Sequence, residues 1–478
     1  MRFASMTLRW SHLGHLMCLI ILFHTIAASD PGTKDIIYRW LGAGHLHFEA
    51  PVESGAGLPR GVCNRGYGSL GIAMKRQIIG LGVALVMTSL GCTESASSAL
   101  TPLDVGVNSG EADGAVHAGR WQTVHPGGDT LCSRGDPYRF YFRAGDSRKL
   151  VVYFQGGGAC WNEFTCSVAD AIFSDKVNEP EDLNTWTDDR YQAGLFDTSP
   201  NGLFADWSIL YVPYCTGDVH WGNATVDYND RLTIHHRGYL NTKAALEFAY
   251  ARVEDPSSVF VTGCSAGAYG SILNSARIAT QYPDAIVSVL ADSGAGIITN
   301  SFLLDSFPNW NALSHLPEYL ERLQAPLETL SIEDVYISIA ETFPNHRFSQ
   351  YTTAFDQDQI FYWEAMGGDF REFAPRLKAS LDNIEGAVPN FRAYYAPGSM
   401  HCITVYPFFD TRTVAGVRFK SWLEQLVVGD MPPDSVRCSG DSCFDDPVCN
   451  ACAEDASGPG CNFCSNWPDR HLDSPEGD

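Results

Sequence analysis

Ser258-Val259-Phe260-Val261-Thr262-Gly263-Cys264-Ser265-Ala266-Gly267-Ala268-Tyr269-Gly270-Ser271 decides how this chain is read. A β-rich apolar run, Ser258 to Val261, leads into Gly-Cys-Ser-Ala-Gly. A helix-compatible stretch, Ala268 to Ile278, follows. A G-x-S-x-G motif between a strand and a helix is the context of a nucleophile elbow. The turn is sharp, and the two glycines keep side chains away from the serine. Ser265 is then expected exposed at the carboxyl end of a strand. There a histidine can take its proton and let it attack a carbonyl. The plainer alternative is a Gly/Ser-rich helix start with no chemistry.

Outward from this motif, strands and helices alternate. Lys149 to Phe154 is a β-rich run that ends in Gly156-Gly157-Gly158, and Trp207 to Val212 is another. Gly238 to Val253 has helical spacing through Leu240, Ala244, Leu246 and Ala249. Ala285 to Leu290, Arg347 to Phe355 and Phe391 to Tyr395 read as strands. Ile332 to Glu341, Phe370 to Ile384 and Thr413 to Val427 read as helices. Such alternation predicts an α/β fold, a mainly parallel sheet with helices on both faces. No internal repeat is visible.

A nucleophilic serine needs a base and an orienting carboxylate, in the chain order Ser, Asp/Glu, His for an α/β-hydrolase. Four histidines follow Ser265: His315, His346, His401 and His471. His401 lies just past a strand in Gly398-Ser399-Met400-His401-Cys402, where a base belongs; a surface-loop histidine is the alternative. Asp292, Asp334, Asp356, Asp358 and Asp369 all fall in the permitted interval. Asp356, at the end of a strand-like run, is favoured, but chain order leaves the choice open. The oxyanion formed during attack needs N–H donors. Ala266, after the nucleophile, supplies one, and the loop Gln155-Gly156-Gly157-Gly158-Ala159-Cys160-Trp161 is suited to supply others. A phosphate cradle fails as a reading of that loop, because no Lys-Ser/Thr follows.

The 478 residues, 45% hydrophobic and 12% aromatic, allow one large or two medium domains with a sizeable core. A formal net charge of −24 argues against nucleic acid as a partner. The first 92 residues read as targeting. Leu16 to Ala28 is one short apolar segment. Met74-Lys75-Arg76, the apolar run Ile78 to Leu90 and Gly91-Cys92 form a second, more complete signal. It resembles a lipoprotein signal in which Cys92 is lipidated and anchors the protein to a membrane. Residues 1–73 are then a doubtful extension, as a start codon assigned too early would produce. Neither segment has the length of a membrane span. Residues 93–117 read as a linker and 118–428 as the principal domain.

The ordered set Gly156-Gly157-Gly158-Ala159-Cys160-Trp161, Tyr214-Cys215-Thr216-Gly217-Asp218, Gly263-Cys264-Ser265-Ala266-Gly267, Ala291-Asp292-Ser293-Gly294 and His401-Cys402 resembles that of pectin acetylesterases and the related Notum carboxylesterases. The resemblance implies an α/β-hydrolase-like fold and a Ser-Asp-His triad, with no metal and no cofactor. Phe355-Asp356-Gln357-Asp358-Gln359-Ile360 is similar to a string that holds the acid in plant members, which favours Asp356 over Asp358. By resemblance, Ser265 is nucleophile, His401 base and Asp356 orienter. Gly157, Gly158 and Ala266 form the oxyanion hole. Trp161 departs from the pattern, since the family's Trp precedes its Cys, so the aromatic wall beside the hole is expected to differ. The implied activity is carboxylic-ester hydrolysis at the cell surface or outside the cell. Acetyl esters of polysaccharide are the favoured substrate. A long acyl chain on protein or lipid would call for a deep apolar pocket. A polysaccharide-binding scaffold without catalysis is the third reading.

Fifteen cysteines behind an export signal read as mostly disulfides. Cys132, Cys160, Cys166, Cys215, Cys264 and Cys402 lie in the principal domain, and Cys160 with Cys166 is a plausible short closure. Residues 429–478 form a small Cys-rich appendage. From Met431 onward it has ten acidic residues against two basic ones. There Cys449-x2-Cys452-x8-Cys461-x2-Cys464 has zinc-knuckle spacing, but an oxidising compartment favours disulfides.

Overall fold

The computed structural model describes residues 119–169, 171–186, 193–446 and 449–450. The doubtful extension, the signal with Cys92, the linker, His471 and the cysteines beyond 450 lie outside them. Among the described residues no helix is long and apolar enough to cross a membrane.

Nine strands form one sheet: β1 (Trp121–Val124), β2 (Phe140–Arg143), β3 (Asp146–Phe154), β4 (Trp207–Val212), β5 (Ser258–Cys264), β6 (Ile286–Asp292), β7 (Arg347–Thr353), β8 (Phe391–Ala396) and β9 (Val436–Arg437). Their spatial order is β1-β2-β4-β3-β5-β6-β7-β8-β9. The pairs β1·β2 and β2·β4 are antiparallel, and every pair from β4 to β9 is parallel. The fold is therefore α/β-hydrolase-like, a mostly parallel sheet with connecting helices. The order reverses at β3. Right-handed crossovers that leave a reversal point in opposite directions lie on opposite faces of the sheet. Central strands read as unbroken apolar runs because both faces are covered. Trp207–Val212 is buried at all six positions.

The longer helices among the described residues are α1 (Gly238–Tyr250), α2 (Ala266–Gln281), α3 (Asn300–Trp310), α4 (Ile332–Thr342), α5 (Gln357–Ala365), α6 (Phe370–Ala387) and α7 (Phe419–Val428). One expectation is corrected. The helix expected over Thr413 to Val427 begins only at Phe419. Thr413–Val414 and Val417–Arg418 instead pair as a hairpin. Ala415 and Gly416 both have positive φ, 47° and 80°, which is a hairpin turn and not a helical turn. The beginning of the Cys-rich segment joins the sheet, because β9 adds to β8 in parallel.

Four disulfides join described cysteines: Cys132–Cys215, Cys160–Cys166, Cys264–Cys402 and Cys438–Cys443. Cys449 is disulfide-bonded as well, so it is not a thiolate free to hold zinc.

Candidate active site

Strand β5 runs into Ser265 and helix α2 begins at Ala266. Ser265 has φ 58° and ψ −121°, the strained turn of a nucleophile elbow. Its N–H donates to the Asp292 carbonyl at 2.8 Å, which holds the turn against β6. The two motif glycines are needed for space. A Cβ on Gly267 would stand 2.0 Å from the Phe154 carbonyl oxygen, and one on Gly263 would stand 2.4 Å from the Gly267 oxygen.

His401 lies past β8 and is buried. Its Nδ1 is 2.8 Å from Asp356 Oδ1 and 3.0 Å from Oδ2. Asp356 is fully buried and caps the N-terminus of α5. Its Oδ1 accepts from Asp358 N and Gln359 N, and its Oδ2 from Gln359 Nε2 at 2.9 Å. Gln359 in turn donates to Thr352 Oγ1 and accepts from Ala295 N. A half-exposed second carboxylate, Asp358, faces the other ring nitrogen, with Oδ2 3.8 Å from His401 Nε2. Burial by itself lowers the His401 pKa. Asp356 and Asp358, with a smaller contribution from Asp292, outweigh that and raise it to about 9.

Asp292 does not reach His401 Nδ1. Its carboxylate accepts from Ile403 N, Thr404 N and Thr404 Oγ1, and so anchors the loop after the histidine. Burial raises its pKa to about 6 against those hydrogen bonds. Ser293 Oγ accepts from Cys402 N, and Cys264–Cys402 joins the residue before Ser265 to the residue after His401.

The other candidates have structural roles. Asp334 completes a capping box with Ser331, and Asp369 caps α6. His315 stacks on Tyr239 at 4.1 Å. His346 Nδ1 accepts from Val287 N.

One cavity brings together Ser265, His401, Gly158 and Ala266. It holds about 640 Å³ of space, part of it open to solvent. Among the described residues, neither the Gly158 nor the Ala266 N–H donates a hydrogen bond to another protein group. Gly158 has φ 72°, and a Cβ there would meet the Ile172 oxygen at 1.9 Å. Gly157 does not line the cavity; Ala159 does. No hydrogen bond among the described residues joins Ser265 Oγ to His401 Nε2, a contact that commonly tightens only with substrate.

Most of the remaining wall is apolar, with Trp221, Ile297, Phe302, Phe307, Trp310 and Met366, and Ser293, Gln359, Tyr269 and Tyr362 add polar groups to it. No Asp, Glu, Lys or Arg is among the described lining residues. Trp161 packs behind it on Phe302, with ring centroids 4.9 Å apart. Trp310 Nε1 donates to the Cys160 carbonyl and Asn309 Nδ2 to the Trp161 carbonyl, which ties α3 to the glycine loop. The roles of Asp292 as a loop anchor and Gln359 as a carboxylate clamp are what sequence reasoning missed. Asp356-x-x-Gln359 does have N-cap spacing with Gln at the third helical position, a signal that could have pointed to the clamp.

A strained serine at a strand–helix turn, with a histidine held by a buried carboxylate beside it, defines a protein of α/β-hydrolase type. Residues 123–307 match the family described as Pectinacetylesterase. Palmitoleoyl-protein carboxylesterase NOTUM of Schmidtea mediterranea is 23% identical over 182 residues, covering 36% of this chain and 34% of that protein. Pectin acetylesterase 5 of Arabidopsis thaliana is 27% identical over 170 residues, covering 34% and 39%. Palmitoleoyl-protein carboxylesterase notum2 of Xenopus laevis is 24% identical over 179 residues, covering 37% and 35%. The chain spans between a third and two fifths of the length of these relatives. The family match contains Ser265 and the glycine loop but stops short of Asp356 and His401.

Proposed function

We propose that the protein is a serine carboxylesterase whose acyl group is apolar and longer than acetyl. The carrying observation is the shared cavity, where Ser265, His401 and two uncommitted N–H groups meet a mostly apolar wall with no described acidic or basic lining residue other than His401. In the first step His401 Nε2 takes the Ser265 hydroxyl proton as Oγ attacks the ester carbonyl. The N–H groups of Gly158 and Ala266 hold the oxyanion, and Asp356 holds the imidazolium. The tetrahedral intermediate collapses, and the alcohol leaves with the proton from His401. Water, deprotonated by His401, then hydrolyses the acyl-enzyme and regenerates the serine.

A second reading, removal of acetyl groups from polysaccharide, is favoured by the family description and by the Arabidopsis relative. The esterase domain is assigned to residues 118–428, working in an oxidising, extracellular or cell-surface setting, with anchoring through lipidated Cys92.

The test is hydrolysis of p-nitrophenyl acetate and octanoate by the protein and by Ser265→Ala. The variant should lose on the order of 10⁴-fold or more in kcat/KM. Octanoate preferred over acetate supports the apolar-acyl reading, and the reverse supports the acetylesterase. Activity that survives in Ser265→Ala overturns Ser265 as the nucleophile, and no ester hydrolysis at all by folded protein overturns the esterase in favour of a binding scaffold.

A further inference from the structure

An ester has two halves, and the mechanism proposed above sends them different ways. The acyl group stays on Ser265, and the alcohol departs with the proton carried by His401 Nε2. Asp358 does not line the cavity beside Ser265, yet its Oδ2 stands 3.8 Å from that Nε2. A leaving oxygen within hydrogen-bond reach of Nε2, about 3 Å, is therefore at most about 7 Å from Asp358 Oδ2. A charge carried one or two carbons from that oxygen lies in the field of this carboxylate.

The two carboxylates that face His401 are held differently. Asp356 is fully buried and accepts hydrogen bonds from Asp358 N, Gln359 N and Gln359 Nε2. The Asp358 side chain is half-exposed. Among the described residues its carboxylate accepts no hydrogen bond and pairs with no Arg or Lys; His401 is the one group of opposite sign that it meets. Before attack the imidazole must be neutral, so at that stage nothing balances the Asp358 charge. An approaching substrate meets a bare negative charge on its alcohol side.

We propose that Asp358 sets a charge preference for the alcohol half of the ester, favouring a cationic alcohol and rejecting an anionic one. This inference rests on the esterase reading given above. A cation beside the leaving oxygen supplies the missing counter-charge. An anion there sets like charges a few ångströms apart, which is how a site refuses a wrong partner. The formal net charge of −24 acts in the same direction at longer range.

The experiment compares kcat/KM on three butyrate esters, those of choline, of its uncharged isostere 3,3-dimethylbutanol and of isethionate, by pH-stat. Burial raises the Asp358 pKa and His401 opposes that, so the assay is run at pH 8, far above the ordinary carboxylate value of about 4. The choline-to-isethionate ratio should fall at least about tenfold in Asp358→Asn, attraction and repulsion each contributing about threefold. It should fall further in Asp358→Lys. The three esters share one acyl group and one base, so the ratio cancels the change in His401 basicity that the variants also bring. In the parent, raising NaCl from about 0.02 to about 0.5 M should narrow the ratio, because salt screens a half-exposed charge. A ratio unchanged in both variants, with the 3,3-dimethylbutyl ester still hydrolysed through Ser265, overturns the proposal and leaves the esterase reading standing. No hydrolysis of any ester by folded protein removes that reading and this inference with it. If neither variant folds, the parent decides: a ratio that ignores salt overturns the proposal, and one that narrows supports it.

Discussion

Asp358 is the residue whose position has the most direct consequence for rate. Its carboxylate stands 3.8 Å from His401 Nε2, the atom that in the proposed mechanism must be unprotonated to accept the serine proton. Together with Asp356 it stabilises the imidazolium, against burial, up to a pKa of about 9. kcat/KM should therefore climb through the alkaline range with a midpoint near 9. In Asp358→Asn the acid limb should move down by about one pH unit, because one of two facing carboxylates is gone. A pH–rate profile measured on both proteins checks this, and coincident limbs would remove Asp358 from the account. The sign for stability follows from the same shift. The His401 pKa is raised above its unfolded value, so its favourable contribution is full below about pH 6.5 and is lost as pH rises through about 9.

At the scale of elements, the proposed catalytic set depends on three loops held from behind. Asp292 at the end of β6 fixes the loop after His401, Gln359 in α5 fixes Asp356, and Cys264–Cys402 joins the ends of the nucleophile and base segments. Replacing both cysteines by alanine should cost about 2–5 kcal/mol in urea unfolding, since the bond spans 138 residues. It should also lower kcat more than it raises KM, because the loop positions the base and not the acyl group. Much of this framework was legible in the sequence. β3, β4, β5 and β6 announce themselves as apolar runs, and the Gly263–Gly267 motif between a strand and a helix fits a tight elbow. His401 follows a strand, so its position was legible too. Asp356 was not separable from its neighbours by spacing, because Asp292 also ends a strand and differs only in which side of the histidine loop it meets. The hairpin at 413–418 was hidden inside a helical pattern, since Ala415 favours a helix everywhere except in a left-handed turn. The apolar cavity was illegible because its wall comes from Trp221, Ile297, Phe307 and Met366, which are far apart in the chain and meet only in the fold.

At the scale of the whole molecule, the segment after the principal domain is part of its frame. β9 extends the sheet, Gly398 N donates to the Cys443 carbonyl, and Phe444 packs on Phe355 with centroids 4.7 Å apart. Asp446, fully buried, accepts from Ser399 N and stands 3.6 Å from the buried Arg412 guanidinium, near enough for an ion pair but too far for a hydrogen bond. Asp446→Ala leaves Arg412 buried without that charge and should destabilise the fold by about 3–5 kcal/mol, read as a fall in the urea midpoint. A variant as stable as the parent would show that Arg412 finds another partner. The contacts at Gly398 and Ser399 carry a consequence for how the protein is made. These two residues begin the turn that presents His401, and their anchors, Cys443 and Asp446, are synthesised more than forty residues later. A nascent chain thus completes the Ser265 elbow long before the segment that seats the His401 turn has been made.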